Sequence, residues 1–278
     1  MKKHFLAGIV AALGIVPALG ADMATKAPYA ASVARPIYDW SGFYLGINGG
    51  WAQSHNCWDM NGALVFGFSP ALAEGCNTAN GGVVGGQVGA RYQVNNFVFG
   101  LEAQGDWANL KGSNQSTLFN SLGVPAATQT ALGLSLVNTT KVDAIGTFTG
   151  QIGYSFGPLL WYVDGGVAVT DNKYSGLLTI APPGSKFSAS LSDSASRVKF
   201  GGVVGTGLEW MFAPNWTVGV KYDHLFMGSE DVGTSLTSLT TTPAFTLPKN
   251  LLAPGMPVRN DSISGDIDMV TARIGYKF

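Results

Sequence analysis

FVFGLEAQGDWANL, residues 97–110, carries the pattern that decides the fold. Phe97, Phe99, Leu101, Ala103, Gly105 and Trp107 share one parity, while Glu102, Gln104 and Asp106 share the other. Successive side chains of a strand point to opposite faces, so this stretch reads as a β-strand with one apolar and one polar face. The alternation recurs in 42–53, 81–93, 141–156, 160–174, 196–212, 216–226 and 266–278, giving eight strands in all. Each is long enough to cross a bilayer at a tilt, for which about 9 to 11 residues suffice.

The composition fits a chain that partly faces lipid. Only 12% of the 278 residues are charged, against about 25% in ordinary soluble domains. Glycine, at 38 residues, is about twice its usual share. After residue 20 no apolar run approaches the length of a spanning helix, so the hydrophobicity has to be distributed along strands.

The connections alternate. Val94-Asn95-Asn96, Gly157-Pro158-Leu159 and Ala213-Pro214-Asn215 are short and have turn chemistry, whereas 55–80, 111–140, 176–195 and 229–265 are long and rich in Ser, Thr, Asn, Gly and Pro. Short turns at one end and long loops at the other predict an all-β, eight-stranded antiparallel up-and-down transmembrane barrel with its turns in the periplasm. Aromatic residues flank those turns in YQVNNF (92–97), FGPLLW (156–161) and FAPNW (212–216), as a belt at the lipid headgroups requires. In water the same ring would be an exposed apolar patch. The last strand ends TARIGYKF (271–278) and has to pair with the first, because an open edge cannot be satisfied in lipid.

MKKHFLAGIVAALGIVPALG (1–20) has Lys2 and Lys3 ahead of an apolar run and small residues at its end, the pattern of a secretory signal peptide. Pro17 ends the run too early for a membrane anchor. The expected organisation is a signal peptide over 1–20, a periplasmic extension over 21–40 and the barrel over 41–278. Without the leader, 14 basic side chains face 17 acidic ones, and no basic patch points to nucleic acid. In the oxidising compartment that export implies, Cys57 and Cys76 are expected to pair. A metal or redox site at the cysteines would have only His55 nearby in sequence.

DWSGFYLGINGGWA (39–52), the terminal ARIGYKF and the leader together resemble the small outer-membrane β-barrels of alphaproteobacteria, the outer membrane immunogenic or porin-family proteins. The resemblance covers nearly all of the exported chain. It implies an outer membrane location in a Gram-negative bacterium and recognition of the last strand, through Ile274, Tyr276 and Phe278, by the barrel-assembly machinery. It also brings haem capture into view, with His55 and loop Tyr or Met as candidate ligands, although no spacing here defines such a site.

The polar faces carry Arg91, Glu102, Asp106, Asp143, Asp164, Lys199, Glu209, Lys221, Asp223 and Arg273. An eight-stranded barrel is just wide enough for side chains to fill it, so these ten groups are expected to pair across the lumen as a plug. A narrow conducting path gated by the same pairs is the alternative. In DHLFMGSE (223–230), Asp223, His224 and Ser229 suggest acyl transfer only by proximity in sequence, and no enzymatic role is assigned. No cofactor is expected. The reading is a structural, surface-exposed barrel with immunogenic or adhesive loops, and a narrow porin-like channel for small solutes as the alternative. Its expected partners are outer-membrane lipid and lipopolysaccharide, the assembly machinery, and host or envelope surface molecules.

Overall fold

The computed structural model describes residues 38–63, 66–242 and 253–278, with the side chains of 66–69 excepted. The expected signal peptide over 1–20, most of the expected extension over 21–40, and residues 64–65 and 243–252 lie outside the described residues. The strands are β1 (Gly42–Ala63), β2 (Phe66–Val94), β3 (Phe97–Gln115), β4 (Leu134–Phe156), β5 (Leu159–Ile180), β6 (Ser188–Ala213), β7 (Trp216–Thr242) and β8 (Pro257–Lys277). They form one closed antiparallel barrel in sequence order. Closure is made by β1 and β8, in register from Tyr44 opposite Lys277 to Ala63 opposite Arg259. No sheet edge is therefore left facing lipid.

Three turns are tight. Asn95 adopts φ +55, a left-handed conformation that Asn tolerates, and Gly157 adopts φ +75. Three of the four stretches expected to be loops, 55–80, 176–195 and 229–265, are largely strand instead, and strand also takes both ends of 111–140. β1 and β2 continue as a hairpin past Cys57 and Cys76, β4 begins at Leu134, β6 at Ser188 and β8 at Pro257. Their Ser and Thr side chains hydrogen-bond across strands, as Ser192 does with Ser238, so polar composition here marks a solvated wall rather than irregular chain. Between β3 and β4 the chain forms two short helices, α1 (Leu118–Ser121) and α2 (Ala126–Leu132).

A belt of exposed apolar side chains marks the lipid-facing half. Phe43, Leu45, Ile47 and Trp51 on β1 are 56–71% exposed, and Trp107 and Phe200 reach 76% and 78%. Near the turns the belt is aromatic: the rings of Trp216 and Tyr276 lie 5.2 Å apart, and those of Tyr276 and Phe278 lie 5.1 Å apart. Above the belt, away from the turns, the strands rise as a polar extension beyond the membrane.

Inside, large aromatics fit because glycines face them. Tyr44 lies opposite Gly89 and Tyr162 opposite Gly207, and a Cβ on either glycine would collide with the tyrosine side chain facing it. Small barrels alternate large and small interior residues in this way to fill the taper.

Candidate functional site

The lumen is built in layers. At the turn end Trp40, Val98, Leu160, Tyr162 and Met211 form an apolar stopper. Trp40 is fixed there by two hydrogen bonds: its backbone N–H donates to Gln93 Oε1 at 2.8 Å, and its indole Nε1–H donates to the Gly157 carbonyl at 3.2 Å. Above it lies a charge layer. Arg91 pairs with Glu209 at 2.7 Å and lies 4.3 Å from the centroid of the Tyr44 ring. Arg273 bridges Glu102 at 2.9 Å and Glu209 at 3.4 Å and also donates to the Tyr162 hydroxyl at 2.9 Å. Lys221, fully buried, meets Asp164 at 2.6 Å, Asp223 at 3.0 Å and Glu102 at 3.5 Å.

Seven of the ten expected lumen charges thus form one chain of ion pairs. Asp106 is tied to that chain through Gln104, whose amide donates to it at 2.7 Å and whose carbonyl accepts from Arg273 at 2.9 Å. Lys199 is buried but higher, donating to the carbonyls of Ile263 at 3.0 Å and Gly228 at 3.4 Å. Asp143 is the exception and lies outside the lumen. A bulge leaves it as an extra residue, since Val142 faces Asn172 while Ala144 already faces Asp171. One extra residue reverses the faces beyond it, so Asp143 turns outward and pairs with Lys141 and Lys173.

Next comes an apolar septum. Ala52, Leu110, Val142, Ile145, Val203, Leu225, Ile267 and Met269 are all at most 2% exposed and pack as one cluster across the lumen. Beyond it, in the surface extension, lies a second polar cluster that the sequence reading did not anticipate. Arg259 pairs with Asp261 at 2.6 Å, Glu74 at 3.3 Å and Asp193 at 3.7 Å, donates to Asn138 at 3.0 Å, and sits 5.7 Å from the centroid of the Trp58 ring. Burial, against the opposing pull of Arg259, pushes the Glu74 carboxyl up to about 7. Asp261 is raised by the same burial. Arg259 keeps its charge in spite of burial because the three carboxylates surround it. Met60, Leu118 and Leu136 close this end under α1.

The architecture is a membrane-spanning barrel with a lipid-facing aromatic belt and a filled lumen, and residues 17–248 match the family model described as "Outer membrane protein beta-barrel domain". The chain belongs to the outer membrane protein beta-barrel domain family. Its place is accordingly the outer membrane of a Gram-negative bacterium. The family match ends before β8, the strand that closes the barrel.

Two curated proteins are similar to this chain along most of their length. The 31 kDa outer-membrane immunogenic proteins of Brucella melitensis and Brucella suis are each 28% identical over 244 residues, covering 84% of this chain and 90% of theirs. Among solved structures, the outer membrane protein OprG of Pseudomonas aeruginosa aligns with 86% of this chain and 96% of its own, at 13% identity and a TM-score of 0.41.

The remaining candidates fall in separate places. Cys57 and Cys76 face each other across β1 and β2 and are joined as a disulfide. Asp223 points into the lumen, whereas His224 lies on the outer wall with its Nδ1 2.7 Å from Asp268, which also accepts from the Tyr222 hydroxyl at 2.6 Å. No hydrogen bond joins His224 to Ser229 among the described residues. His55 lies on the outer wall beside Gln53 and Thr78. Phe278 closes the seam by donating its backbone N–H to the Phe43 carbonyl at 2.9 Å, and its side chain is 72% exposed.

Proposed function

We propose that this protein is a closed outer-membrane barrel, structural in the envelope, whose extension presents a rigid polar surface to the outside. One observation carries the reading: the apolar septum of Leu110, Val142, Ile145, Leu225, Ile267 and Met269 spans the lumen between the two charged layers. An ion would have to cross that dry layer as well as break the pairs around Lys221, so rearranging the salt bridges alone does not open a path. The likeness to the Brucella immunogenic proteins supports antigen exposure by the extension. Acyl transfer is not proposed, since His224 is engaged by Asp268 on the outer wall and its carboxylate neighbour in sequence, Asp223, is turned inward. The terminal Phe278, exposed at the seam, supports recognition of β8 by the assembly machinery.

The test is electrical. The refolded chain, checked by heat-modified gel mobility, is expected to give silent planar-bilayer records, and so is a Lys221→Met variant. Replacing septum residues with Gly at Leu110, Leu225 and Met269 is expected to create the first discrete current steps. Reproducible steps from the unaltered barrel would sink the closed-lumen reading.

A further inference from the structure

The outer wall carries a cation row that the closed lumen does not use. Lys111 stands opposite Lys141, and Lys141 opposite Lys173, on β3, β4 and β5. Neighbouring strands are about 4.8 Å apart, and like charges directly opposite each other destabilise a sheet. Within the fold only Asp143 offsets this repulsion. It exists because the bulge at Asp143 turns Lys141 outward rather than into the lumen. Asp143 then sits between Lys141 and Lys173 and pairs with both, with Lys173 at 2.6 Å, while Lys111 has no ion pair among the described residues. The side chains of Lys141 and Lys173 remain 37% and 55% exposed.

Directly below the row, on the lipid side, the wall is hollowed. Gly105 and Gly146 face each other and leave a groove of about 430 Å³ walled by Trp107, Val169 and Val198, with Asp171 at the rim. A Cβ on Gly105 would meet nothing within 4 Å, so the space is open to the bilayer. Across the barrel the outward charges have the opposite sign, with Asp231, Asp266 and Asp268 on β7 and β8.

We propose that this wall docks a phosphorylated, acylated glycolipid of the outer leaflet, the lipid A portion of lipopolysaccharide, with a phosphate on the lysines and an acyl chain along the groove. Amphiphilic complementarity selects that occupant: the cations lie at the headgroup level and the groove lies at chain depth. A second copy of the barrel fits poorly, because a twofold axis along the membrane normal would set one lysine row against the other. On binding, a phosphate takes over the ammonium groups now shared with Asp143.

Native mass spectrometry of the refolded chain in detergent tests the assignment, with diphosphoryl lipid A, the same lipid stripped of both phosphates, and inorganic phosphate as probes. Diphosphoryl lipid A is expected to bind best. Each lysine is expected to contribute about fivefold, so K111Q/K141Q/K173Q weakens lipid A by about a hundredfold if the three act independently. Asp143→Asn is expected to tighten it by freeing two lysines. Gly105→Leu fills the groove and is expected to weaken lipid A without affecting phosphate, with Trp107→Ala as a second groove variant if the leucine chain lacks heat-modified mobility. Equal binding of the phosphate-free lipid, no loss in the triple variant, inorganic phosphate binding as tightly as the lipid, or a dimer that Gly105→Leu dissociates would each overturn the proposal.

Discussion

Arg273 shows how much a single residue holds in this barrel. Its guanidinium reaches Glu102, Glu209, Gln104 and the Tyr162 hydroxyl, and Tyr162 in turn lies over Gly207 and packs with Trp40. Removing one partner of a buried pair leaves the others as uncompensated charge. Arg273→Ala is therefore expected to lower unfolding stability in lipid by about 3 to 5 kcal/mol, read from urea titration of tryptophan fluorescence. A loss below about 1 kcal/mol would mean that water enters the layer and screens Glu102 and Glu209. Glu74 makes a different prediction. Its folded carboxyl sits at about 7 against an ordinary value of 4.5. A raised carboxyl binds its proton more tightly in the folded state, so stability falls as pH rises through that window and is greatest below it. The range corresponds to at most about 3 kcal/mol at about 1.4 kcal/mol per unit. Amide protection in the surface extension, taken relative to intrinsic exchange at each pH, is expected to fall between pH 5 and 8, and Glu74→Gln to flatten that dependence; an unchanged slope in the variant would place the titration elsewhere.

At the scale of elements, the β1–β2 hairpin is the part that depends on a covalent staple. Cys57 and Cys76 close it just above the membrane, and beyond them Gly75, at φ +100, and the shift between Met60 and Gly62 interrupt the pairing. On the chain-entropy model a loop of this length gains about 3 kcal/mol from the bridge. Reduction is expected to raise proteolysis within 58–75 while the membrane-embedded half keeps its heat-modified mobility. Equal protease resistance with and without reductant would show that the hairpin is held by packing of Trp58 and Met60 instead. Sequence periodicity located each strand's membrane half but not its full length. The signal continued in places: from Arg259 to Arg273 the odd residues of β8 all face inward, an unbroken alternation into a stretch read as loop. Elsewhere bulges hid it. Gly75 on β2 and Gly228 on β7, both at positive φ, reverse the faces and bring Glu74 and Thr234 inside. A glycine within a strand is a hint of such a break. Asp143 breaks β4 with no glycine to announce it, so parity alone places it in the lumen.

For the whole molecule, closure and filling are coupled. Eight strands leave a lumen that side chains fill, and here they fill it with an apolar stopper, a charged layer, an apolar septum and a second charged layer. Closure depends on the last residues finding β1. Phe278→Ala is expected to reduce assembled barrel in cells severalfold, measured by surface protease accessibility, while the purified variant refolds in detergent as the parent does. Parallel loss in cells and in detergent would mean that Phe278 contributes to the seam itself rather than to recognition.

The sequence alone determined the class, the number of strands, the membrane band, the three turns and most of the inward charges, because a period of two bound to a lipid boundary leaves each side chain only two directions. Tertiary structure decided which charges meet. Arg91 with Glu209 and Arg273 with Glu102 are separated by more than a hundred residues, and their contact depends on barrel closure and stagger, which no local pattern encodes. It also decided the faces beyond each bulge. One extra residue at Asp143 moved a carboxylate from the lumen to the wall and turned Lys141 outward beside it, a local insertion whose direction is set only by the neighbouring strand.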